Sequence, residues 1–139
     1  MQSVIVDSGV WFAIFDQHDE RYAAGREKAN LLEVLQIVVP WPTMYETLRT
    51  RFVKNRLALD LFERHLKSRP VVYLDDGGYR SDAFDLALDW SLRRKRPISM
   101  VDWILRLMVE DVNVDVSYLA TFNVNDFRDV CEKRGVEII

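Results

Sequence analysis

An α/β fold built on a central parallel sheet, with helices on both faces, is predicted by three features of this 139-residue chain. Short β-branched runs alternate with longer segments of helical periodicity along its whole length. The first run, Val4-Ile5-Val6, is continuous rather than alternating, as in a strand covered on both faces. It leads directly into Asp7-Ser8-Gly9, and open α/β sheets place their ligands at the carboxyl ends of their strands.

In chain order, Val10–Phe15 reads as a short helix and Asp16–Asp19 as a polar break. Glu20–Gln36 reads as a longer helix that packs through Ala23, Ala24, Leu31, Leu32 and Leu35. Ile37–Val39 is the second strand, ended by Pro40-Trp41-Pro42 because proline has no N–H and restricts its predecessor. Thr43 and Glu46 have the spacing of a capping box, which predicts a helix from Thr43 to about Lys54. Leu57–Lys67 is amphipathic, with Leu57, Leu61 and His65 on one stripe. Val71–Leu74 is the third strand and Asp75–Gly78 a turn.

Tyr79–Arg94 is helical up to the basic run Arg93–Arg96 and Pro97. Ser99 opens a helix that is apolar almost all round from Met100 to Val109, apart from Asp102 and Arg106, and so belongs in the interior. Ser117–Thr121 is the fourth strand, Asn123–Phe127 a turn into a short helix, and Val136–Ile139 a final strand.

The length suits one domain spanning 1–139 with a substantial core, and the composition, 49% hydrophobic and 29% charged, is that of an ordinary globular protein. No apolar run is long enough to cross a bilayer, and no basic stretch precedes the first apolar segment, so neither a membrane anchor nor a secretory leader is expected. The single cysteine, Cys131, has no internal partner, which suits a reducing, cytoplasmic setting. His18 and His65 have no cysteine companions, so a structural zinc site is poorly supported. A net charge of −3 advertises no nucleic-acid binding but leaves room for a local basic strip.

Four places put an acidic or polar residue just past a strand or in the first turn of a helix: Asp7, Glu46, Asp102 and the Asn123–Asp126 turn. In a parallel sheet these could converge on one edge. Crowded carboxylates repel, and some would hold protons; a hard divalent cation removes that conflict and would bind the phosphate that a bare acidic pocket rejects. Each position also has a plain structural reading, as an Asx turn at Asp7, cap partners at Glu46 and Asp102, and turn or cap residues at Asn123 and Asp126. Asp102 is the sharpest case, because it begins a helix that otherwise looks buried; Arg106, one turn on, offers it a partner.

In their order these residues resemble the PIN domain, and within it the small single-domain VapC toxins of toxin–antitoxin pairs. The resemblance rests on Val4-Ile5-Val6-Asp7-Ser8, Thr43-x-x-Glu46, Ser99-x-x-Asp102 and Leu119-Ala120-Thr121-Phe122-Asn123-Val124-Asn125-Asp126-Phe127, and covers essentially the whole chain. It implies a three-layer α/β/α sandwich and a Mg²⁺- or Mn²⁺-dependent endoribonuclease. Asp7, Glu46 and Asp102 take the family's first three acidic positions, as metal ligands and catalytic residues. At the fourth, this chain has Asn123 where many members carry aspartate, with Asp126 nearby; either could complete the set. Ser8 and Thr121 would be supporting hydroxyls that orient ligands or water.

The resemblance also implies an RNA substrate, a homodimer and a cognate antitoxin laid into an apolar groove, for which Phe12, Phe15, Phe52 and Phe62 are candidates that serve equally well as core. Two basic clusters could meet RNA, Arg49, Arg51, Lys54 and Arg56 or Arg93–Arg96, and Trp41 and Tyr45 could stack on a base near Glu46. The rival reading is a PIN-like domain that binds RNA or protein without cutting, motivated by Asn123 and the acidic net charge.

Overall fold

The computed structural model describes residues 1–139. Five strands form one parallel sheet: β1 (Ser3–Val6), β2 (Gln36–Pro40), β3 (Val71–Leu74), β4 (Tyr118–Ala120) and β5 (Glu137–Ile138). Their spatial order is β3-β2-β1-β4-β5, and every pairing is parallel. The chain starts at the centre, builds one half of the sheet, and crosses to the other side of β1 for β4. The carboxyl end of β1 is therefore the topological switch point, where such sheets open a crevice.

Eight helices surround the sheet: α1 (Ser8–Phe15), α2 (Tyr22–Leu32), α3 (Trp41–Thr47), α4 (Thr50–Val53), α5 (Arg56–Lys67), α6 (Arg80–Leu92), α7 (Met100–Glu110) and α8 (Val124–Arg134). Alternation along the strands explains the three layers. Val4, Val6, Ile37 and Val39 face a core shared with Trp11 and Ile14 of α1, Leu32 of α2 and Phe62 of α5. Ile5, Val38 and Leu119 face the opposite core, with Ile104, Leu105 and Met108 of α7 and Phe127 of α8. The predicted parallel sheet with helices on both faces is what forms.

Several local expectations are corrected. Gln36 leaves the predicted second helix and joins β2, because its backbone pairs with Ser3. The predicted Thr43–Lys54 helix is two helices, since Leu48 leaves helical geometry and Arg49 is extended. Thr43 is not a cap: α3 starts at Trp41 behind Pro40, and the Thr43 hydroxyl donates to the Pro40 carbonyl at 2.7 Å. The final helix is not short; α8 runs for 11 residues and closes on Gly135, whose φ of 68° suits a residue without a Cβ. The Ser99 cap is as expected, its Oγ accepting the Asp102 N–H at 3.1 Å. Gly25 lets α2 lie directly on α1, for a Cβ there would sit 2.3 Å from the Ala13 carbonyl carbon and oxygen.

Candidate active site

The site forms around the turn from β1 into α1. Asp7 continues the strand, its N–H donating to the Ala120 carbonyl at 3.0 Å, and its extended backbone then caps α1. One carboxylate oxygen accepts the Ser8 N–H at 2.8 Å, and the other accepts the Thr121 hydroxyl at 2.9 Å. The side chain is thus fixed at both oxygens, and the residue is only 5% exposed. Thr121 is fixed in turn, because its Oγ1 accepts the Asn123 N–H at 3.0 Å. Ser8 reaches the other way, its hydroxyl donating to Glu46 Oε1 at 3.0 Å. One short chain of hydrogen bonds therefore links the carboxyl ends of β4 and β1 with α3.

The electrostatics draw in two more carboxylates. Burial is the main force raising the Asp7 carboxyl above its ordinary range; Thr121 and Ser8 oppose it, and the Asp126 charge adds to it. Glu46 is raised first by burial, then by Asp7, against the Ser8 hydrogen bond and the Arg49 guanidinium. Asp102 is the most perturbed. Burial, then the charges of Asp7, Glu46 and Asp126, push it up to about 7 against the Ser99 hydroxyl. Asp7, Glu46, Asp102 and Asp126 thus share one field, although they come from β1, α3, α7 and α8. The carboxylates face one another without closing: no three acidic, histidine or cysteine side chains gather tightly enough around one point to clasp an ion.

No protein-family model matches the chain, and no curated protein matches it either. The site is therefore read from its own chemistry.

Of the two candidates for the fourth position, Asp126 is half-buried and interacts with Asp7 and Asp102, whereas the Asn123 side chain is exposed and caps nothing. Arg106 does not partner Asp102. It is 5% exposed and makes a bidentate pair with Asp129, at 2.7 and 2.9 Å. Its Nη1 also donates to the Asp126 carbonyl at 2.6 Å, which fixes the first turn of α8 and hence the placement of Asp126. Asp129 was not singled out from the sequence. Three residues past Asp126, it had no local signal, because its partner lies 23 residues away.

The basic clusters separate clearly. Arg93 and Arg94 pair with Asp89, while Arg96 pairs with Asp129 and donates to the Asn125 carbonyl, so most of the second run is spent on its own chain. In the first cluster, Arg49 stacks over the Phe12 ring at 4.2 Å beside Glu46. Trp41 and Tyr45 are 38% and 73% exposed, and Trp41 stacks on Tyr73 at 4.8 Å. Phe52 and Phe62 are core, and Phe12 and Phe15 pack against it. Only Phe62 of these four lines a cavity of about 1310 Å³, which lies beside α5 with Leu57, Leu66 and Tyr73 and holds none of the four acids. No helix is long and apolar enough to cross a membrane.

Proposed function

We propose that this chain is a divalent-metal-dependent endoribonuclease of the PIN type, comparable to a VapC toxin, that hydrolyses RNA phosphodiesters with an activated water. The observation that carries this reading is the gathering of Asp7, Glu46, Asp102 and Asp126 at the switch point of the sheet, where burial first and the neighbouring charges second push the Asp102 carboxyl up to about 7. Buried structural carboxylates are normally paired with a cation; here Asp7 and Glu46 accept hydrogen bonds from Ser8 and Thr121, but none of the four forms a salt bridge.

By its chemistry the donor set suits Mg²⁺ or Mn²⁺, around which the separated carboxylates would have to draw in. It is all oxygen, from carboxylates with hydroxyls beside them, and its mutual repulsion is what a cation would relieve. Asp7, Glu46 and Asp102 would hold the ion, with Asp126 favoured over Asn123 to complete the set. A divalent ion there supplies neutralisation of the phosphate charge and activation of water. The residues do the rest. Thr121 and the Ser8 N–H keep both Asp7 oxygens in place, and the Ser8 hydroxyl keeps Glu46 turned towards Asp7. Burial and the neighbouring acids raise the Asp102 carboxyl in the ion-free chain, and a bound cation would return it to the carboxylate form. Arg106 holds the turn that carries Asp126.

The setting that goes with this reading is cytoplasmic, with a cognate antitoxin and a second copy of the chain as partners. The open spacing of the carboxylates and the exposed Asn123 favour one rival, a PIN-like domain that binds RNA or protein without cutting. Cleavage of RNA in Mn²⁺, compared between the wild type and Asp7→Asn, separates the two. The account expects cutting that chelation stops and that Asp7→Asn abolishes while the protein still unfolds cooperatively. Undiminished Mn²⁺-dependent cutting by the pure variant would remove Asp7 from the machinery, and no cutting by the wild type on a broad RNA pool favours the rival.

A further inference from the structure

An acidic centre repels RNA unless cations flank it, and the sequence pointed to Arg93–Arg96 as one source. That run is largely neutralised within the chain. Among the cations without a salt bridge, three stand next to the site. Arg21 and Lys28 both lie over the Phe122 ring, with Arg21 Cζ at 4.9 Å and Lys28 Nζ at 5.0 Å from its centroid. Phe122 directly follows Thr121, the residue that grips Asp7. On the other side, Arg49 lies over Phe12 and is near enough to Glu46 to influence its carboxyl.

None of the three forms a salt bridge within the chain. An aromatic face orients a cation but leaves its charge unneutralised. Two like charges drawn to one ring call for an anion between or beside them. Burial lowers the Lys28 pKa against the opposing charge of Glu27, and a further anion would favour that ammonium. Gly25, between Arg21 and Lys28, presses α2 against α1, so this pair is carried on a rigid support.

Resting on the nuclease reading above, we infer that Arg21 and Lys28 on Phe122, and Arg49 on Phe12, grip backbone phosphates of a single-stranded RNA on either side of the acidic centre. The single strand is favoured by Tyr45, which shares α3 with Glu46, is 73% exposed and lies near the Trp41 ring, an aromatic surface open to an unpaired base.

The test uses labelled single-stranded RNA in Mn²⁺ and fluorescence anisotropy, in an Asp7→Asn background that is expected to bind without cutting. Arg21→Gln with Lys28→Gln, and separately Arg49→Gln, should weaken binding about three- to tenfold per cation removed. Each cation lost should also flatten the dependence of log affinity on log salt by roughly 0.7. Arg93→Gln with Arg94→Gln serves as the control and should change little. RNA binding that survives all three substitutions, or a duplex that binds as well as the single strand, overturns the inference and leaves the nuclease reading standing. If the wild type neither binds nor cuts RNA, the nuclease reading fails and takes this inference with it. All three side chains lie outside the core, so an unchanged melting temperature shows that the variants remain folded.

Discussion

Two charged groups on α7, one turn apart, are treated in opposite ways. Arg106 is almost completely buried, and its charge is answered nearby. It has Asp129 in a bidentate pair, the Asp126 carbonyl, and the faces of Trp103 and Trp90 at 4.7 and 5.9 Å; only its Nε is left without an acceptor. That pairing holds the Asp129 carboxyl well below the usual carboxylate range. Asp102, four positions earlier, has only the cap at Ser99 and three other acids in its field, and is pushed up to about 7. The fold can neutralise a buried charge where it needs to join α7 to α8. At the switch point it does not. An acidic cluster without a cation at the switch point is what the proposed metal ion would answer.

Breaking the satisfied side should have the largest effect on stability. Arg106→Met removes a buried guanidinium, leaves the Asp126 carbonyl without that donor and leaves Asp129 with Arg96 alone. Asp129 is half-exposed and regains water, so the expected loss is about 2–3 kcal/mol, read as the shift of the urea midpoint at unchanged slope. A loss under about 0.5 kcal/mol would mean that the pair does not join the helices.

Loosening the grip on Asp7 should come next. Thr121→Val keeps the shape of a fully buried side chain but removes the hydroxyl that donates to Asp7, at a cost of roughly 1–2 kcal/mol. Without that donor the Asp7 carboxyl should rise further. Carboxyl titration by NMR checks this, and an Asp7 that titrates unchanged would contradict the role given to Thr121.

The smallest effect sharpens the comparison through pH. Asp129 has a depressed pKa in the folded chain, so its contribution is present above the unfolded carboxylate range and is lost as pH falls through the folded value. Asp129→Asn should therefore flatten the acid limb of the stability curve. Solvent screening of a half-exposed group keeps the effect below about 1 kcal/mol at neutral pH. An acid limb as steep as that of the wild type would remove Asp129 from the acid response.

The sheet was legible because its signal is local: Val4-Ile5-Val6 is apolar without alternation, and the strand it predicts is buried on both faces. The Ser99 cap was legible for the same reason. The Thr43–Glu46 spacing misled because the same residues serve tertiary demands. Thr43 is fully buried against the Pro40 carbonyl, and Glu46 turns towards Ser8, 38 residues away in sequence. Arg106 had a local candidate in Asp102 and took a distant one, because α8 docks on α7 and brings Asp129 within bidentate reach. Asp126 and Asn123 were indistinguishable until the first turn of α8 fixed which of them faces inward.

The central claim, that the four carboxylates are an uncompensated site awaiting a cation, is tested most directly by thermal unfolding at pH 8. Wild type and Asp102→Asn would each be measured in chelator and in Mn²⁺. Because the folded pKa of Asp102 is raised, folding is penalised increasingly as pH climbs from the ordinary carboxylate range to about 7, and fully above it. In chelator, Asp102→Asn should therefore be the more stable protein by roughly 1–3 kcal/mol. Mn²⁺ should raise the melting temperature of the wild type and leave the variant nearly unmoved. Equal stability in chelator, together with equal responses to Mn²⁺, would contradict the account.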